Sequence, residues 1–190
     1  NVGYKTKGGH LTSPDTQTNW NGITGRIELI GYKNAHAENV MLWCDIHSKT
    51  VRVTANITGG KSGKAVISAE SFNSEKSHTP EVQSFEYTDG KLDALYKMGN
   101  DCLLWSEHEP NLYKLRIDID GDVSEHIIGM REFNTEGGKF TINGEKTFLR
   151  GKHDGMIFPK TAFAPTDLDE WLRVMKISKS YGMNHYRYHT

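Results

Sequence analysis

Most of the chain alternates apolar and polar residues with a period of two, the pattern of strands with one buried face. Thr50–Thr58 shows it best, with Val51, Val53, Ala55 and Ile57 on a single face. Arg26–Ile30, Leu112–Ile119 and Val123–Ile128 repeat the pattern, and Ala65–Ala69 and Val82–Tyr87 are shorter versions. Val40–Cys44 is a continuous apolar run, long enough for a strand but silent about which face is buried. Asp89-Gly90 and Asp120-Gly121 separate neighbouring runs, and such pairs favour the tight turns of β-hairpins. About seven short strands punctuated by turn residues predict a two-sheet sandwich of immunoglobulin-like type over residues 23–133. Residues 1–22, rich in Gly, Thr, Lys and Asn without a period, read as a linker or the tail of a preceding domain.

After residue 134 the pattern changes. Phe140–Leu149 is a hairpin built on Asn143-Gly144. An irregular stretch, Gly151–Pro165, leads to a helix over 166–181. Thr166-Asp167 supplies its cap, and Leu168, Trp171, Leu172 and Met175 fall at helical spacing. Val174, Ile177 and Tyr181 widen the apolar stripe, and Gly182 suits the position just past the end. Asn184–His189 then reads as a strand. Strand, helix and strand make one parallel βα step and the start of another, which needs neighbours to bury its surfaces. The expectation is a fragment carrying the opening of a larger α/β domain.

Composition narrows the function classes. The net charge is -1, with 23 basic and 24 acidic residues and no basic run, so nucleic acid is not an expected partner. No apolar stretch approaches the ~20 residues of a membrane span. Cys44 and Cys102 are spaced like a sandwich disulfide, but the tryptophan arrangement that accompanies one is missing, and free thiols are the favoured reading. The histidines show no metal-ligand spacing, and no cofactor motif is present; Gly59–Gly63 lacks phosphate-loop spacing and reads as a turn. Asp167, Asp169 and Glu170 form an acidic first helical turn, which is a capping arrangement rather than a catalytic one. Nothing here indicates a compartment.

Four segments carry a resemblance. They are Thr18–Leu29; Leu104-Trp105-Ser106 with Pro110–Leu115; Gly129–Phe133 with Phe140–Gly144 and Leu149-Arg150-Gly151; and Gly182-Met183-Asn184 leading to Arg187 and His189. In this order they resemble glycoside hydrolase family 2, the family of β-galactosidases and β-glucuronidases. The resemblance implies a mainly β chain: the end of a jelly-roll domain (residues 1–22), an immunoglobulin-like sandwich (23–133) and the truncated start of a (β/α)₈ barrel (134–190). It implies a retaining hydrolase of terminal β-linked sugars, β-galactosides first, working through two carboxyl groups about 5–5.5 Å apart. In that family both glutamates lie on later barrel strands, so the 190 residues alone are expected to be inactive. Arg131 is expected to anchor the sandwich rather than to touch sugar.

Barrel chemistry sits at the C-terminal ends of the strands. With a first strand through Thr147–Gly151, Lys152, His153 and Asp154 are expected at its exit. His153-Asp154 resembles the family's His-plus-acid element that reaches sugar hydroxyls, placed closer to Arg150-Gly151 than usual. Arg187 resembles an arginine that steadies a catalytic carboxylate, and His189 follows it by two residues where the family has three. Substrate contact is therefore expected of Arg187, His189, His153 and Asp154. A reading from another class is a non-catalytic sandwich module for carbohydrate binding, domain packing or oligomerisation. The apolar stripe of helix 166–181 also makes self-association an expectation.

Overall fold

A computed structural model of the chain describes residues 23, 25–155, 158, 160–161 and 164–188. They fall into two compact units, one spanning Ile30–Phe148 and the other built on the segment Leu149–Thr190.

The first unit holds seven main strands: β1 (His36–Asp45), β2 (Thr50–Thr58), β3 (Ser62–Ser71), β4 (Gln83–Thr88), β5 (Lys91–Lys97), β6 (Tyr113–Ile119) and β7 (Asp122–Ile128). All pair antiparallel, in the order β1-β2-β5-β4-β3-β6-β7. The middle of this order is its weakest joint, because β4 and β5 share a single bridge, Thr88↔Lys91, beside their turn. Strand β1, at one edge, also contacts β6 and β7 at the other. The sheet therefore folds over on itself into two layers, β1-β2-β5 and β4-β3-β6-β7.

Period-two alternation supplies the core between the layers. Val51, Val53, Ala55 and Ile57 are buried from β2, Leu92, Ala94 and Tyr96 from β5, and Leu115, Ile117 and Ile119 from β6. Removing a fully buried side chain such as Ile67 or Leu115 to alanine costs about 2–5 kcal/mol, a large share of a domain's stability. The turns follow the sequence signals: Asp89-Gly90 and Asp120-Gly121 both adopt positive φ at each residue. Cys44 and Cys102 are free thiols. Both are pushed up by burial, Cys44 to about 11.

Two local features shape these layers. In β1 the pairing shifts by one residue between Glu38 and Met41, a bulge at which Asn39 takes φ 51°. The second feature lies beyond the Thr88↔Lys91 bridge, where β4 and β5 separate. There the Gln83 side chain spans the gap: its Nε2 donates to the Lys97 carbonyl at 2.8 Å, and its Oε1 accepts from the Lys97 N–H at 3.1 Å.

A three-stranded sheet completes this unit: β8 (Phe133–Glu136), β9 (Lys139–Ile142) and β10 (Glu145–Lys146). Its Asn143-Gly144 turn does more than reverse the chain. Asn143 Oδ1 accepts from the Glu132 N–H at 2.9 Å, and Nδ2 donates to the Trp105 carbonyl at 2.9 Å. Arg131 lies over the Trp105 ring at 4.6 Å, so the residues of two recognised segments form one brace.

The second unit contains β11 (Gly151–Asp154), α1 (Leu168–Ser180) and β12 (His185–Tyr188), with β11 and β12 parallel. The helix forms as its sequence signals predict. Asp167 caps it by accepting from the Glu170 N–H at 2.8 Å. Gly182 takes φ 81° just past its end.

Two expectations are corrected. Arg26–Ile30 forms no strand, and Ile27, Leu29 and Ile30 are exposed; the alternation is present, but no strand among the described residues pairs with it. The strand expected at Thr147–Gly151 lies further on, at Gly151–Asp154, because that is the stretch paired with β12. Lys152, His153 and Asp154 are therefore strand residues rather than exit residues.

Candidate functional site

The βα unit is tied together by two of the recognised segments. The Arg150 N–H donates to Asn184 Oδ1 at 2.8 Å, and the Asn184 N–H donates to the Arg150 carbonyl at 3.0 Å. Arg150 Nε reaches the Gly182 carbonyl at 2.7 Å. These bonds fix where β11 and β12 begin and hence their register: Gly151↔His185, Lys152↔Tyr186, His153↔Arg187 and Asp154↔Tyr188.

Register decides which side chains meet, because opposed residues share a face and successive ones alternate. One face carries Lys152, Asp154, Tyr186 and Tyr188. Helix α1 covers it: Trp171 meets Tyr188 edge to face at 5.9 Å, and the Ser178 hydroxyl is hydrogen-bonded to that of Tyr186. Lys152 Nζ lies 2.9 Å from Asp154 Oδ2, and this bond holds the lysine ammonium above its ordinary range. Burial pushes the Tyr188 phenol up.

The opposite face carries Gly151, His153, His185 and Arg187. Arg187 Nη1 lies 3.0 Å from His153 Nε2. A guanidinium only donates, so Nε2 presents its lone pair and the ring proton sits on Nδ1. Below this pair the His185 ring fills the space where Gly151 has no side chain. A Cβ at residue 151 would collide with the His185 ring at Cε1. His185 Nδ1 is buried and has no hydrogen-bond partner among the described residues.

Of the four residues expected to contact substrate, the fold brings Arg187 and His153 together. Asp154 stands on the opposite face, against Lys152. His189 lies outside the described residues. Sequence reasoning missed His185, although two signals were available: it stands two residues before Arg187, hence on the same face, and it opposes a glycine. Chemically, the Arg187–His153 face offers cationic and neutral donors. It can orient hydroxyl or carboxylate groups, but among the described residues β11 and β12 put no carboxylate on it to attack or protonate a glycosidic bond.

The described residues thus comprise a two-layer β unit and a parallel β-α-β unit. The comparisons with known proteins are more specific. The family model of glycosyl hydrolases family 2 matches residues 35–131, just over half of the chain. The chain belongs to this family. A β-galactosidase of Leuconostoc mesenteroides is 24% identical over 90% of the chain, and one of Staphylococcus xylosus is 34% identical over 34% of it. The chain spans 18% of the first protein and 6% of the second. Among solved structures, a β-glucuronidase of Faecalibacterium prausnitzii matches 81% of the chain and 24% of its own length, with TM-score 0.64 and 15% identity. A family 2 β-galacturonidase of Eisenbergiella tayi, solved with galacturonate bound, matches 82% of the chain and 28% of its own length, with TM-score 0.60 and 18% identity. At these identities the structural likeness speaks for the fold.

Proposed function

We propose that this chain is a scaffold segment of a retaining β-glycoside hydrolase, with a β-galactoside as the first substrate to test. In this reading Ile30–Phe148 contains the immunoglobulin-like sandwich, and β11, α1 and β12 open a (β/α)₈ barrel. Residues 1–22, expected from the resemblance to end a jelly-roll domain, lie outside the described residues. The observation that carries the reading is the Arg187–His153 contact on the face of β11 and β12 turned away from α1. In a barrel, that face points inward and its upper end lines the catalytic centre. Arg187 would steady a catalytic carboxylate, and His153 would contact sugar hydroxyls.

Both catalytic carboxyl groups come from later strands, so the 190 residues bind sugar weakly at most and do not hydrolyse it. Two measurements test this on the chain itself. Incubation with nitrophenyl β-galactoside and β-glucuronide is expected to release no nitrophenol; sustained release would sink the scaffold reading. Titration with galactose is expected to shift the His153 imidazole resonances. An unmoved His153 at saturating sugar would remove it from the substrate-facing set.

A further inference from the structure

We propose that the cleft where β4 and β5 part is a second binding site, for a neutral saccharide, separate from the β11–β12 face. The cleft follows from the fold. After their one bridge the two strands diverge, and the Gln83 amide closes the ladder at the far end. The opening between residues 78–85 and 95–101 has a volume of about 700 Å³, within the range of small-molecule sites.

Its lining suits a polyol. Phe85 and Leu95 supply apolar surface of the kind the C–H faces of a pyranose ring cover, over the fully buried Met98. Leu95 keeps 54% of its area exposed there. Around them stand Glu81 and Asp101 as acceptors, and Lys97 and Asn100 as donors. A hydroxyl both donates and accepts, so mixed partners fit it. Two carboxylates against one ammonium disfavour an anionic ligand. No group of three metal-ligating side chains occurs among the described residues, which leaves a metal ion without a cage.

His78 is the fixed polar group of the site. Its Nδ1 lies 2.8 Å from the Tyr113 hydroxyl, and the two rings meet edge to face. That hydroxyl also accepts the Leu103 N–H at 2.8 Å and is hydrogen-bonded to the Cys102 thiol. The other ring nitrogen, Nε2, lies on the side of Gly99 at the cleft, where it can hydrogen-bond a sugar hydroxyl as donor or acceptor. Burial holds His78 below its ordinary range, which favours the neutral ring. A ring anchored by a buried tyrosine orients a ligand at little entropic cost.

This site does not depend on the glycosidase reading, and its test keeps the two apart. The isotopically labelled 190-residue chain is titrated with lactose and, separately, with sodium galacturonate, reading backbone amide shifts. Lactose is expected to shift amides of residues 78–85 and 95–101 in a saturable manner. Asp101→Ala and Lys97→Met, both at exposed side chains, are each expected to weaken lactose binding about fivefold, the loss of one hydrogen bond. Arg187→Ala is expected to leave the cleft titration unchanged. The proposal is overturned if lactose leaves the cleft amides unmoved, if galacturonate shifts them as strongly, if both cleft variants bind as the parent does, or if Arg187→Ala abolishes the response.

Discussion

Gln83 offers the sharpest test of how the two layers are joined. Its side-chain amide takes the place of a strand, satisfying both the N–H and the carbonyl of Lys97 where the β4 backbone has moved away. Gln83→Met keeps the length and removes both bonds. Each neutral hydrogen bond contributes about 0.5–1.5 kcal/mol net. Water reaches Lys97 and replaces part of this, so the expected loss is about 1–2 kcal/mol. In a unit of this size that lowers the melting temperature by roughly 4–8 °C. Urea unfolding should show a lower midpoint at unchanged slope. Amide exchange adds a local signature: the Lys97 N–H should lose protection while Leu115 and Ile117 in β6 keep theirs. Gln83→Glu separates the two bonds, since a carboxylate still accepts from the N–H but cannot donate to the carbonyl. A Gln83→Met variant with the parent's midpoint and the parent's Lys97 exchange rate would refute the reasoning.

Two further outcomes follow from the structure. Gly151→Ala places a methyl group against the His185 ring, so protection of the β11 and β12 amides should be lost; unchanged exchange there would show that the ring swings away freely. The sandwich should also weaken in alkali. The Cys44 thiol is raised from 9.0 to about 11 and the Tyr96 phenol from 10.0 to about 12, both by burial, and burial raises Cys102 and Tyr113 as well. The native state then holds these protons after the unfolded state releases them, so stability is full below about pH 9 and falls between pH 9 and 11. Denaturant melts of the parent and Cys44→Ala at pH 7.5 and 10 check this, and a Cys44→Ala variant with the same pH slope would exclude that thiol as a contributor.

The strands were legible wherever the apolar pattern had a partner to meet. Val51–Ile57 and the Asp89-Gly90 turn carry their structure in local spacing, and the helix from Leu168 to Ser180 carries its cap in Asp167. Arg26–Ile30 has the same spacing and no strand, because alternation states what a segment could bury and not whether a neighbour exists. Strand order was out of reach: β5 lies beside β2 across some forty residues, and only three-dimensional packing decides that. The candidate site was half legible. Arg187 and His153 were placed by resemblance, whereas their contact, the turning away of Asp154 and the His185 ring over Gly151 depend on register. Register was set by the Arg150–Asn184 bonds, which no periodicity reveals.

The bulge in β1 decides the phase of an ambiguous segment. Val40–Cys44 is apolar at every position, so its sequence offers two equivalent ways to sit on the core. Carried on unbroken, the register of His36–Glu38 would set Met41 against Val53 and Trp43 against Val51, turning the indole inward. The extra residue at Asn39–Val40 shifts the count by one, so that Leu42 and Cys44 meet those valines instead. What keeps Trp43 on the solvent side is therefore a counting device in the backbone rather than the polarity of its neighbours. A chain shortened by that one residue would heal the ladder and still bury the same two side chains.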